Sequence, residues 1–215
     1  NYTGSNNINL LEPKGQFGTR LQGGHDSASE RYIFTNLNPL TRYIYRESDD
    51  QVLDYLDDDG TSVEPNYYAP IVPVILINGS KGIGTGFSTD VMCYNPLQII
   101  DYLNNKLKGF SNEGFDDFIP YYEGFKGTIT KITDAKFLIK GVYEKVGPDK
   151  IRVVELPVGH WTEDFKELLE GLIETKVDKD GKKNQQIVKD YDDLSKDTNV
   201  DFTITFMNGQ LDKLE

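Results

Sequence analysis

The stretch Gly15–Tyr32, GQFGTRLQGGHDSASERY, combines a loop of glycines and small polar residues with an arginine–tyrosine pair at its end. A phenol is a poor nucleophile at its ordinary pKa of about 10, so a reactive tyrosine needs neighbours that stabilise its charge or remove its proton. Arg31 directly precedes Tyr32, and its planar, permanently charged guanidinium suits a phosphate. The pair indicates a phosphate-facing tyrosine; the alternative is a half-buried packing residue, as most tyrosines are.

Longer sequence motifs on both sides of the Arg31–Tyr32 pair distinguish between these two interpretations. Three of them are GSNNINLLEPKGQFGTRLQGG at 4–24, DSASERYIFT at 26–35 and EPNYYAPIVPVILINGSKGIGTGF at 64–87, followed by FKGTI and ELPVGHWT. In this order and spacing they resemble the breakage–reunion region of type IIA DNA topoisomerases, in the form found in eukaryotes and large DNA viruses. The resemblance runs over essentially the whole chain.

The resemblance implies roles for individual residues. Tyr32 would attack a DNA phosphorus and become linked to the 5′ end, and Arg31 would offset charge on the pentacoordinate phosphate. Further DNA-binding residues implied by the family are Lys14, Gln16, Arg20 and His25. His25 stands where relatives usually have lysine, and because histidine is largely neutral at pH 7 we expect a weaker phosphate contact there.

The stretch GSKGIGTGF at 79–87 carries an isoleucine between two glycines. It lacks the spacing of a phosphate-binding loop and of a dinucleotide-binding loop. One interpretation is a tight glycine turn that allows close backbone approach. In the other, which the family resemblance favours, Ile83 protrudes as a wedge that unstacks a base step and bends the duplex.

We expect an α+β fold: the end of a winged-helix domain over residues 1–42, then a tower-like domain of antiparallel, meandering strands with flanking helices over residues 43–215. Asn95 and Pro96 predict the start of an amphipathic helix that buries Leu97, Ile100, Leu103 and Leu107 and ends at Gly109. The other predicted elements are an extended segment over 67–78, a hairpin turn at 57–60, a three-segment meander over 122–156, a helix capped by Thr162, a charged loop over 175–186 and strands over 187–191 and 199–207.

Charge is distributed unevenly along the 215 residues. The chain carries a net charge of −12, but residues 1–46 hold five basic and three acidic side chains, a net charge of +2. Because steering depends on local potential, this asymmetry is compatible with DNA at one end. Seven basic residues between 126 and 152 are interpreted as a solvated strand face, with DNA-backbone contact as the less favoured alternative.

The remaining composition places limits on function. No apolar run approaches the ~20 residues that a membrane span needs. A single cysteine, Cys93, excludes an internal disulfide framework. The start lacks a methionine, and we expect a piece of a longer polypeptide. With two histidines and no Cys/His/carboxylate cluster at ligand spacing, we predict no metal site in this chain.

The family resemblance also implies cofactors and partners. Mg²⁺ and ATP would be bound by domains outside this chain, because the carboxylate motif EGDSA of the metal-binding domain is missing and the acidic runs at 49–50 and 57–59 are better interpreted as turn and surface charge. We therefore expect the isolated chain to be inactive in DNA cleavage. The expected partners are double-stranded DNA and, in the complete enzyme, a second copy; the expected location is the nucleus or a viral replication compartment or virion.

Two other functions stay open at this point. A non-catalytic, DNA-bending architectural module would use Ile83 alone. A structural subdomain that packs against other domains would explain the acid-rich part of the chain.

Overall fold

The computed structural model describes residues 2–110, 118–134, 136–174 and 186–214. They form two compact units that alternate along the chain. We call Asn6–Gly15 with Glu30–Tyr121 the tyrosine unit, and Asn1–Ser5 with Gln16–Ser29 and Tyr122–Glu215 the sheet unit. The predicted division at residue 42 into winged-helix and tower domains stays a prediction.

The described residues of the tyrosine unit form three two-stranded antiparallel ladders and three helices. Its strands are β1 (Leu11–Lys14) paired with β2 (Phe34–Leu37), β3 (Tyr55–Asp58) with β4 (Thr61–Pro65), and β5 (Ser80–Gly84) with β6 (Phe87–Val91). Its helices are α1 (Thr41–Ile44), α2 (Val74–Asn78) and α3 (Pro96–Leu107), with 3₁₀ turns at Glu30–Tyr32 and Glu47–Val52.

The sheet unit contains the main hydrophobic core. A hairpin of β7 (Thr128–Thr133) and β8 (Lys136–Lys140) precedes a four-stranded antiparallel sheet ordered β11–β12–β10–β9. Its members and the helix packed on it are β9 (Val142–Gly147), β10 (Lys150–Glu155), α4 (Thr162–Ile173), β11 (Val188–Asp193) and β12 (Phe202–Phe206). Leu169 of α4 packs among Val188, Phe202 and Ile204, all at most 2 % exposed. The charged loop predicted over 175–186 lies outside the described residues except for Gln186.

The α+β class with antiparallel strands and flanking helices is confirmed. The predicted turn at 57–60 joins β3 to β4, with Asp59 and Gly60 at positive φ. The two C-terminal strands are also present, as β11 and β12. No helix in the described part of the chain is long and apolar enough to cross a membrane.

The predicted meander is wrong in its connectivity. KFLIKGVYEK divides at Gly141 into β8 and β9, which belong to different sheets. A β-carbon at Gly141 would overlap the carbonyl oxygen of Glu155 at the end of β10. The chain therefore breaks at the one residue that allows this close approach.

Three further expectations are corrected. The segment 67–78 is not wholly extended, because α2 forms after Pro73, a residue that suits the start of a helix. Thr162 is the first residue of α4 and not its cap; that position is Trp161. In both cases the sequence pattern did not define the residue at which the helix starts.

The third correction concerns α3. Its start is as predicted, because the side chain of Asn95 accepts a hydrogen bond from the amide of Leu97 at 2.9 Å. Its buried residue is Ile99, whereas Leu97 and Leu107 are 70 % and 86 % exposed. The predicted stripe ran through Ile100, but isoleucine also occupies position 99. The structure buries the face that contains Ile99.

Candidate nucleic-acid interface

Tyr32 ends a short 3₁₀ turn and is exposed. Its side chain is 67 % accessible, and within the described residues its hydroxyl makes no hydrogen bond. The guanidinium carbon of Arg31 lies 4.9 Å from the centroid of the Tyr32 ring, a cation–π arrangement. A phenol and a permanent cation therefore share one exposed position.

The β1–β2 ladder positions this turn. β2 starts two residues after Tyr32, and its first residue, Phe34, pairs with Lys14 of β1. Lys14 is half exposed and lies 4.0 Å from Glu12. Gly15, at a φ of 114°, allows the chain to pass close to Ile33, whose Cγ2 would meet a β-carbon there at 3.0 Å. The glycine before the loop is thus required by the approach to the tyrosine turn.

Ile83 is in the β5–β6 ladder, opposite Ser88, and is 95 % exposed. A β-carbon added to the neighbouring Gly82, which would point to the other face of the ladder, also meets no atom within 4 Å. Gly86, at a φ of 77°, forms the tight turn between the strands. The tight glycine turn is present and carries an exposed isoleucine. Insertion of Ile83 between bases stays a prediction.

Two asparagines that the sequence did not single out connect the N-terminal segment to the Ile83 hairpin. Asn7 Nδ2 donates to the carbonyls of Ile77, Tyr94 and Tyr121 at 2.9, 3.3 and 3.0 Å. Asn78, two residues before β5, exchanges two hydrogen bonds with the backbone of Ile8. The hydrogen-bond partners are 70 to 114 residues apart in the chain, so only the folded structure reveals this role.

Arg20 is not at the surface. It is 2 % exposed, and its Nη2 lies 2.6 Å from Oε1 of Glu155 and donates to the carbonyl of Leu156 at 2.9 Å. Burial lowers the pKa of this guanidinium, and Glu155 counteracts that shift. In this structure Arg20 is a buried partner of Glu155, and no phosphate can reach it. The sequence showed its charge but not the acid that neutralises it.

Gln16 is exposed at the base of the same loop and is oriented by Asp26. The carboxylate of Asp26 accepts from Gln16 Nε2 at 3.2 Å and from the amide and hydroxyl of Thr19 at 2.9 and 2.5 Å. Partial burial raises the pKa of Asp26, but the hydrogen bonds from Thr19 and Gln16 outweigh it, so the pKa is lowered. The ionised carboxylate is therefore the form that organises the loop.

His25 is exposed and borders a cavity of about 680 Å³ in the sheet unit. The cavity is lined by Gln22, His25, Trp161, Glu163, Asp164, Lys166, Glu167 and Glu170. Four carboxylates from α4 make this surface negative, which opposes a phosphate on that side of His25. Sequence alone did not show that α4 would face this loop.

The basic strand residues of the sheet unit are partly ion-paired. Lys131 lies 2.9 Å from Asp134, Lys145 lies 3.6 Å from Asp212, and Arg152 makes two hydrogen bonds to Asp201 at 2.8 and 2.7 Å. These contacts favour the solvated-face interpretation over DNA contact.

The described ranges contain no group of three or more His, Cys, Asp or Glu side chains that could hold a metal ion. Of the predicted site residues, Tyr32, Arg31, Lys14 and Ile83 are in the tyrosine unit, and Gln16, Arg20 and His25 are in the sheet unit.

Comparison with known proteins identifies the family. The family model for the A subunits of DNA gyrase and topoisomerase IV matches residues 1–215, the full length of the chain. The chain belongs to this DNA gyrase/topoisomerase IV family. Within the family it is 46 % identical over its full length to a mitochondrial DNA topoisomerase 2 of Dictyostelium discoideum, and 47 % identical over 94 % of its length to DNA topoisomerase 2 of Arabidopsis thaliana.

A solved structure supports the same assignment. The DNA-binding, cleavage and re-ligation domain of Plasmodium falciparum topoisomerase II superposes with a TM-score of 0.89 at 39 % identity, covering 99 % of this chain and 28 % of that one. This member of the gyrase/topoisomerase IV family spans only 16 % and 13 % of the Dictyostelium and Arabidopsis relatives.

Proposed function

We propose that this chain is the DNA breaking and rejoining part of an ATP-dependent type II DNA topoisomerase, with Tyr32 as its nucleophile. One observation carries the proposal: in a chain of this family, the tyrosine after an arginine is exposed, and the guanidinium contacts its ring. The named relatives are type II topoisomerases, and the matched solved domain is described as one that binds, cleaves and re-ligates DNA.

The reaction exchanges one phosphodiester for another. The Oη of Tyr32 forms a bond to a DNA phosphorus as the P–O3′ bond breaks, leaving a 5′-phosphotyrosine and a free 3′-hydroxyl; the phenolic proton is balanced by the proton that the 3′-oxygen gains. Rejoining is the reverse, so it needs no external energy source. Arg31 supplies positive charge where negative charge develops on the phosphate.

Ile83 is proposed as the wedge that bends the DNA. An apolar side chain that is 95 % exposed costs folding little but gains contact when it inserts between bases. Unstacking one base step costs a few kcal/mol, which contact with the bent duplex offsets.

Lys14 and Gln16 are proposed as DNA-backbone contacts, because both are exposed and Lys14 pairs with Phe34, two residues after Tyr32. His25 is proposed as a weaker contact, since acidic residues border it on one side. Arg20 does not belong to this set, because its guanidinium is buried.

The complete protein is proposed to bind double-stranded DNA as a homodimer and to act in the nucleus. Mg²⁺ would supply charge stabilisation for phosphoryl transfer when bound. Since the described residues offer no ligand set for it, we propose that Mg²⁺ and ATP are held by other parts of the complete protein, and that this chain alone does not cleave a supercoiled plasmid in the presence of Mg²⁺.

The test of the function uses Tyr32→Phe in the complete protein. We expect loss of the covalent protein–DNA adduct with DNA binding retained. Tyr67→Phe is a matched control, because Tyr67 is 66 % exposed in the same unit. An adduct that survives Tyr32→Phe and disappears in Tyr67→Phe would contradict the assignment.

The architectural function has one observation in its favour, the exposure of Ile83. It predicts that Tyr32→Phe changes nothing, whereas Ile83→Ala abolishes bending. A purely structural role predicts no DNA binding even at low salt.

A further inference from the structure

Arg20 and Glu155 form a buried ion pair for which the proposed reaction has no direct use. The side chains are 2 % and 5 % exposed. Besides Arg20, the carboxylate accepts from the amide of Leu156 at 3.0 Å and from that of Lys126 at 3.2 Å. Without its partner, either charge would be buried and unpaired, which is strongly unfavourable. The two side chains therefore stay together, and the loop backbone at Arg20 is held next to Glu155.

The backbone of the loop is held at the same point. The amide of Arg20 donates to the carbonyl of Asp197 at 2.9 Å, and its carbonyl accepts from the amide of Thr162 at 3.4 Å. The amide of Glu163 donates to the carbonyl of Leu21 at 3.0 Å. The centre of the loop is therefore attached to the start of α4, inside the sheet unit.

The peptide bond from Arg20 to Thr19, followed by side-chain hydrogen bonds, connects this buried pair to the exposed edge of the loop. Thr19, adjacent to Arg20 and 6 % exposed, donates twice to the carboxylate of Asp26. The same carboxylate accepts from the side-chain amide of Gln16. The amide of Ala28 closes the loop by donating to the carbonyl of Gln16 at 2.9 Å. The orientation of the exposed amide of Gln16 thus depends on contacts that begin in the interior.

We propose that Arg20 is a positioning residue: its ion pair with Glu155 holds the side-chain amide of Gln16, through Thr19 and Asp26, in the orientation that contacts the DNA backbone. This inference rests on the proposed function, in which Gln16 faces DNA. Arg20 itself does not touch DNA. Its effect on DNA affinity therefore exists only while Gln16 is present.

The experiment is a double-mutant cycle in the complete protein. The variants are Arg20→Lys, Gln16→Ala and both together, and the measurement is the Kd for a duplex over a salt series, well below the melting temperature of each variant. Lysine keeps the positive charge beside Glu155 but loses the planar geometry. We expect each single variant to raise Kd about tenfold, the worth of one hydrogen bond to a charged group, and the double variant to bind no more weakly than either.

The salt dependence separates positioning from direct contact. If Arg20 touched a phosphate, Arg20→Lys and Gln16→Ala would have additive effects, and a neutral Arg20→Met would reduce the salt slope by about one. That result would overturn the inference. So would an Arg20→Lys protein that melts at a lower temperature but binds DNA like the wild type.

Two further variants keep the test decisive. If Arg20→Lys fails to fold, Asp26→Asn interrupts the same connection outside the buried pair, and it should also be non-additive with Gln16→Ala. Arg152→Lys is the control, since it alters an exposed arginine–carboxylate pair in the same unit, and its Kd should equal that of the wild type. Absence of DNA binding by the wild-type protein would reject the proposed function itself, whereas additive single effects reject only the role of Arg20.

Discussion

The indole of Trp161 packs directly against the α-carbon of Gly23. A β-carbon at residue 23 would overlap the indole atoms Cε2 and Nε1, and Gly23 also has a φ of 60°. The ring of Tyr2 approaches the same indole edge-on at 5.9 Å. The sequence motifs LQGG and GHW therefore contact each other in the sheet unit. Gly23 is required by this packing and not only by the backbone conformation of the loop.

Gly23→Ala should destabilise the sheet unit by about 3 kcal/mol, because overlap with Trp161 adds to the cost of a positive φ. Gly209→Ala is the matched control: its φ is 66°, and an added β-carbon there meets nothing within 4 Å. The measurement is chemical denaturation followed by fluorescence of Trp161, the one tryptophan in the chain. Equal losses in the two variants would show that the indole contact contributes nothing.

Arg20→Met should cost about 3–5 kcal/mol in the same assay, because Glu155 would be left buried without its partner. Replacing both residues, as Arg20→Met with Glu155→Leu, should recover most of that loss, since no buried charge remains. A double variant as unstable as Arg20→Met alone would mean that hydrogen bonds to the surrounding backbone, and not the ion pair, hold this region.

Asp26 should make the stability of the sheet unit depend on pH in acid. Its folded pKa lies below the usual 3.8, so its contribution is fully present above about pH 4 and is lost as the pH falls through the folded pKa. Asp26→Asn should remove this part of the dependence. Unfolding free energies of both proteins between about pH 6 and pH 2.5 give the comparison, and curves that stay parallel over that range would exclude a role for Asp26.

Ile83→Ala should leave folding unchanged, within about 0.5 kcal/mol, because the side chain is almost fully exposed. In the complete protein it should reduce DNA bending, measured by energy transfer between dyes at the two ends of a duplex. Ile132→Ala is the control, since Ile132 is a 61 % exposed isoleucine on the β7–β8 hairpin. If Ile83→Ala and Ile132→Ala reduced DNA bending equally, the proposed role of Ile83 in bending would be wrong.

Local signals explain what the sequence predicted well. The Asn95–Pro96 start of α3, the turn at 57–60 and the alternating strands β11 and β12 follow from residues close to one another in the chain. The exposed tyrosine turn and the bare Ile83 hairpin were likewise expected from short motifs. Such features depend on caps, turn residues and periodicity, which act over a few residues.

Long-range contacts explain what the sequence predicted wrongly or missed. Arg20 was predicted as a DNA contact because nothing local reveals its partner Glu155, which lies 135 residues further along the chain. The apolar stripe predicted for α3 through Ile100 was wrong, because packing buries Ile99 instead. The division of KFLIKGVYEK at Gly141 depends on the approach of Glu155, which no local pattern encodes.

The amino-acid order by itself determined the family, the α+β class and the local motifs that carry Tyr32, Arg31 and Ile83, because these depend on residue identity and short-range spacing. Only the tertiary structure decided which charges are neutralised and which are exposed. Arg31 and Arg20 are chemically identical side chains, yet one contacts an exposed phenol and the other is buried beside Glu155. Burial and pairing depend on partners brought together by folding, and for this reason they could not be read from either residue alone.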